Sequence, residues 1–230
     1  MITINAVWLF SLIGIAAIAL TLLGMLLFNS TLFHKEFSLL RNFPFEFGRM
    51  NEDAYRIFKP FMFVLTGLAF SPLFVIVPLS KDFGDLAFLT IFITSVFGLS
   101  AIVNSLLFFF DARYTKTHLL LVTIAICLTL LANALATLLS VLVFKVYLDM
   151  SENHISSLVL AIISGLIVVI MLLIAFNPKL ANWAKLQSVE NDSGEKTYSR
   201  GKIFVLAFIE WLTIALSILG ELVFLFSIIK

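Results

Sequence analysis

The sequence predicts an all-α fold: a polytopic integral membrane protein with one membrane domain, residues 1–230, arranged as a bundle of six transmembrane helices. Three observations predict it. Of the 230 residues, 61% are hydrophobic and 13% charged, against about 45–50% and about 25% in ordinary soluble domains. Mean hydropathy is +1.11. The apolar residues fall in six continuous runs of roughly the 20 residues a spanning helix needs, not in the alternating segments of about ten residues that build a barrel.

The first run, 6–28, has no basic residue before it, and its length exceeds the apolar core of about 7–15 residues in a signal peptide. Gly14, Ala17, Thr21 and Gly24 share one of its faces. Residues 29–60 then mix Phe33, Phe37, Leu40, Phe43, Phe45 and Phe47 with His34, Lys35, Glu36, Arg41, Glu46 and Arg49. Rings that sink and charges that stay wet suit the headgroup zone, so this segment is expected as an interfacial elbow covering the bundle. Asn51-Glu52-Asp53 is a helix-start pattern, with a capping side chain followed by acids at the positive end of the dipole. Pro60 fits the first turn of the second span, 61–79, which Pro72 should kink beside Ser71.

After a short loop, 80–85, the third span covers 86–110. It carries Asn104 beside the small stripe Thr94, Gly98, Ala101 and Ser105. Segment 111–117 holds Arg113 and Lys116, which suit contact with a lipid phosphate. The fourth span, 118–144, places Thr129, Asn133, Thr137 and Ser140 at helical spacing, a polar stripe able to bond across helices. A loop over 145–155 leads to the fifth span, 156–176, closed by Asn177-Pro178. Segment 177–202 begins with an amphipathic stretch around Trp183 and continues as a small hairpin turning near Asp192-Ser193-Gly194. The sixth span is 203–229.

Lys and Arg set the orientation. Segments 29–60, 111–117 and 177–202 carry 12 of the 15, and the opposite side only Lys81, Lys145 and Lys230. The three basic segments are therefore expected in the cytoplasm, with both chain ends outside (N-out/C-out). A cell membrane is the expected location, a bacterial inner membrane or an organelle membrane.

Ionisable groups at membrane depth cost about 2.5–3.5 kcal/mol on insertion scales and mark functional candidates. The sixth span has two, Glu210 and Glu221. Eleven residues apart, they lie on one face about 16 Å from each other, in a stripe with Ala207, Ile214 and Ser217. Trp211 reads as an interface anchor, which puts Glu210 near the headgroups and Glu221 near mid-bilayer. Glu221 is accordingly the leading candidate for a proton-carrying or cation-contacting group. Glu210, Asn133 and Asn104 are the other candidates for an intramembrane polar site.

Other chemistry is excluded by what the chain lacks. The formal charge of +1 provides no basic field for a phosphate backbone, so no nucleic-acid partner is expected. The single cysteine, Cys127, rules out an intrachain disulfide framework and a cysteine-ligated metal cluster. His34 and His118 fall at the cytoplasmic edge and His154 outside, a distribution unsuited to bis-histidine haem. No other span supplies a histidine to activate Ser100 in Gly98-Leu99-Ser100-Ala101. There is no HExxH motif and no P-loop. The expectation is a non-catalytic integral membrane subunit or accessory protein, not an enzyme, with no metal and no cofactor. It would pack against membrane lipids and a membrane-protein partner or a second copy of itself. The alternative is a small proton- or cation-coupled transporter or channel working through Glu221.

Overall fold

The computed structural model describes residues 38–49, 56, 86–110, 115–149, 155–178, 180, 187–190, 196–199 and 203–228. In chain order the elements are α1 (Pro44–Arg49), α2 (Ala87–Leu106), α3 (Thr115–Asp149), α4 (Ile155–Ala175), β1 (Gln187–Glu190), β2 (Lys196–Ser199) and α5 (Val205–Ile228). The spans expected at 6–28 and 61–79, the Asn51–Asp53 cap, Pro72 and Arg113 lie outside the described residues.

Among the described residues, four helices are long and apolar enough to cross a membrane: α2, α3, α4 and α5. They match the third to sixth expected spans. One boundary differs clearly. Helix α3 runs on to Asp149, through the first half of the loop expected over 145–155. Lys145-Val146-Tyr147-Leu148-Asp149 contains neither glycine nor proline, so the backbone stays helical after hydropathy has fallen. At 35 residues its rise is about 52 Å, well beyond a hydrocarbon core of about 30 Å. The two strands of the expected hairpin form, while its turn at Asp192-Ser193-Gly194 lies outside the described residues. Strands β1 and β2 pair antiparallel, with Gln187 opposite Ser199 and Glu190 opposite Lys196.

Helices α3 and α5 pack on each other, and each also contacts α2 and α4, so the two form the middle of the bundle. Each helix buries one stripe at helical spacing. On α4 it is Ala161, Ser164, Ile167, Met171 and Ile174, while Ile162, Leu166, Val169 and Leu173 face outward. On α3, Ala125, Ala132 and Ala136 are wholly buried, and small residues let neighbouring backbones approach. A Cβ added at Gly165 of α4 would meet Thr137 Cγ2 at 3.8 Å, an ordinary contact. Gly165→Ala is therefore expected to leave the midpoint of thermal unfolding in detergent unchanged or slightly raised, because alanine favours helix by about 1 kcal/mol over glycine.

Two apolar clusters fill the bundle. One gathers Leu107, Val122, Ile126, Met171, Leu206, Ile209 and Trp211 at the end nearest α1; the other gathers Ile93, Phe97, Leu139 and Phe224 toward the far end. Phe97 and Phe224 stack there with ring centroids 5.6 Å apart, within the spacing of about 4.5–7 Å that offset rings prefer.

The elbow preceding α1 is folded locally by its own side chains. Pro44 occupies the first helical position, where its missing N–H is no loss. Glu46 reaches back to accept from the Phe43 backbone N–H at 3.0 Å and from Asn42 Nδ2 at 3.2 Å, the reciprocal half of a capping box. Asn42 Oδ1 accepts from Ser38 N. This places Phe43 and Phe45, 1% and 5% exposed, against the bundle end. Two bonds tie the elbow to the start of α5: Phe204 N donates to Leu40 O at 2.7 Å, and Trp211 Nε1 donates to Asn42 O at 2.8 Å. Trp211 thus anchors the elbow and not a headgroup; it is buried, edge-on to Phe108 at 5.6 Å. Trp211→Phe keeps the ring packing and removes the donor. It is expected to loosen the elbow by about 1 kcal/mol, read as faster tryptic cleavage at the exposed Arg41.

Candidate functional site

Polar side chains line the contact between α2, α3 and α5 from the elbow end to beyond the middle of the bundle. The first group is an acid–imidazole pair. His118, in the first turns of α3, and Glu210, in the second turn of α5, are both 0% exposed, with His118 Nε2 2.8 Å from Glu210 Oε1. The other ring nitrogen, Nδ1, lies 3.0 Å from the Phe110 backbone carbonyl. A carbonyl only accepts, so Nδ1 carries a hydrogen. Nε2 and Oε1 then share a single proton, as imidazolium with carboxylate or as imidazole with carboxylic acid. Either way the pair has no net charge, the condition under which two ionisable groups are tolerated in a dry interior. Phe43 and Phe45 stand edge-on to the imidazole at 5.5 and 5.6 Å and close that end.

Farther along, a belt of hydroxyls crosses the bundle between the two apolar clusters. Ser100 on α2 bonds Thr129 on α3 at 2.9 Å and Ser217 on α5 at 3.1 Å. Asn104 Nδ2 donates to Ser100 Oγ at 3.3 Å. One turn beyond Thr129, Asn133 Nδ2 donates to the Thr129 carbonyl at 2.8 Å, and Ser164 of α4 joins through Thr137 Oγ1 at 2.8 Å and the Asn133 carbonyl at 3.2 Å. Gly220 of α5 presses against the Asn133 amide, closely enough that any Cβ there would overlap it. Among the described residues, five buried polar atoms have no protein hydrogen-bond partner: Asn104 Oδ1, Asn133 Oδ1, Ser140 Oγ, Thr213 Oγ1 and Glu210 Oε2.

The structure thus brings together three of the expected polar residues, Asn104, Asn133 and Glu210, and all three are buried. Glu221 lies apart from the bonded groups. It is half-buried on α5 and makes no hydrogen bond with a described residue. Glu210 is buried at the elbow end of the bundle, against His118. Lys116 is exposed in the first turn of α3. The residue that sequence analysis passed over is His118. It sits at the end of an apolar run, as a flanking histidine would, but the helix starts earlier, at Thr115, and the phenylalanines of the elbow cover it. Its one sequence signal is the ring-rich elbow that carries Phe43 and Phe45. No family model, curated protein or solved structure matches this chain.

Proposed function

We propose that the chain is a non-catalytic integral membrane component of a cell membrane, with six spans and both ends outside, that packs against partner proteins or lipids. One observation supports this most. The buried polar side chains mainly bond one helix to another across a filled core, while the outer faces of the helices are broad and apolar. On α4 that face includes Leu158, Ile162, Leu166, Val169 and Leu173. Between α4 and the start of α5 it is indented by an apolar groove of about 280 Å³, lined by Ile170, Leu173, Ile203, Phe208 and Leu212, a shape suited to an acyl chain or a partner helix.

Purification from the native membrane in mild detergent tests the proposal. A defined assembly, with a stoichiometric partner or a second copy, is expected; a monomer that stays folded and alone would count decisively against it. Orientation is tested separately. In a Cys127→Ser background, Lys116→Cys is expected to label from the cytoplasm and Lys145→Cys from outside.

A second reading, a small proton- or cation-coupled carrier, is favoured by the two carboxyls on one stripe of α5. It predicts a flux in liposomes that Glu221→Gln abolishes.

A further inference from the structure

Three of the unpaired polar atoms belong to one place. Helices α2 and α5 are joined where Ser100 meets Ser217. From that bond, one turn toward the elbow along α2 leads to Asn104, whose amide is still tied to Ser100 Oγ. One turn toward the elbow along α5 leads to Thr213. Another turn along α5 leads to Glu210, level with His118. By helical position, Asn104, Thr213 and Glu210 therefore follow one another between the hydroxyl belt and the acid–imidazole pair. They are 5%, 1% and 0% exposed, and Asn104 Oδ1, Thr213 Oγ1 and Glu210 Oε2 have no partner among the described residues.

Thr213 is the most telling of them. Thr90, Thr94, Thr123 and Thr137 all donate to the carbonyl one turn back on their own helix. Thr129 bonds Ser100 instead. Thr213, equally helical, does neither. A buried hydroxyl left so is costly unless something polar reaches it. A carboxyl oxygen, a hydroxyl and an amide oxygen together supply two to four partners, as a buried water requires.

We propose that α2 and α5 enclose a water-binding site at Glu210 Oε2, Thr213 Oγ1 and Asn104 Oδ1, through which the His118–Glu210 pair exchanges its proton with the bundle interior. The step is balanced. As the water hands a proton to Oε2, one O–H bond forms on Glu210 and one breaks on the water. The water is left as hydroxide and the pair holds imidazolium beside carboxylic acid, one negative charge against one positive, and returning a proton restores both to neutrality. Thr213 positions the water and does not itself react. The site does not depend on whether the chain packs against partners or carries ions. Apart from the pair itself, the described elements at that end carry Arg41 and Glu46 of the elbow, Arg49 of α1 and Lys116 of α3, while α2 and α4 carry no ionisable side chain.

The test uses the full chain in lipid nanodiscs, as wild type, Thr213→Val and Thr213→Ser. Valine has the shape of threonine without the hydroxyl. If Thr213 holds water, Thr213→Val lowers the unfolding midpoint and slows deuterium exchange of the His118 ring N–H, followed by nitrogen-15 histidine spectra assigned with His118→Gln, by at least about tenfold. Thr213→Ser restores both. If the site is dry, the valine relieves an unpaired hydroxyl, and the midpoint rises or stays put. That result, or an exchange rate unchanged in the valine variant, overturns the proposal.

Discussion

Glu210→Leu is expected to be among the most destabilising single substitutions in the chain. It removes the carboxylate from the buried His118 Nε2, and breaking a buried pair from one side typically costs about 3–5 kcal/mol. His118→Leu should cost a similar amount, because Glu210 then has no protein partner at either oxygen. The double variant, His118→Leu with Glu210→Met, is expected to recover most of the loss, since apolar residues of similar volume often replace buried ionic pairs at little cost. Reversible unfolding in mixed micelles checks this as a double-mutant cycle. Coupling well above about 0.5 kcal/mol is expected for residues in direct contact. Single losses that simply add would mean that the pair contributes nothing as a pair.

Gly220→Ala is the second large effect. Alanine is ordinarily the better helix former, and Gly165→Ala illustrates the permissive case. At Gly220 the added methyl would overlap the Asn133 amide. That amide is wholly buried and tied to the Thr129 carbonyl, so it cannot swing aside without breaking its bond. Overpacking of this kind costs about 1–3 kcal/mol. A lower unfolding midpoint is expected for Gly220→Ala, with partial rescue by Asn133→Ala, which clears the space. If Gly220→Ala unfolds at the wild-type midpoint, α3 and α5 do not approach as closely as described.

Much of this architecture is legible in the residues themselves. Continuous apolar runs locate α2 to α5, and helical spacing picks out Ser217, Glu210, Thr129 and Asn133 as inward-facing. Asp192-Ser193-Gly194 marks the hairpin. What is hidden depends on chain-distant contacts. Hydropathy measures burial in lipid and not helix continuity, so the tail of α3 through Asp149 is missed. Trp211 has the composition of a headgroup anchor, and only the Asn42 carbonyl, 169 residues away, makes it a clasp for the elbow. His118 and Glu210 each look like edge residues until 92 positions of sequence separation are closed by a 2.8 Å bond. Depth along a single helix ranks Glu221 above Glu210 but carries no information on what other helices cover.

The hydroxyl belt between the two apolar clusters has a mechanical consequence. In hydrocarbon, greasy ridges are nearly indifferent to axial slippage, since a helix shifted by about 5.4 Å meets similar neighbours again. Sliding α5 by that amount would part Ser217 from Ser100 and carry Glu210 away from His118. Two polar detents set about two turns apart on α5 admit a single alignment, so the bundle is keyed like a lock against every neighbouring register.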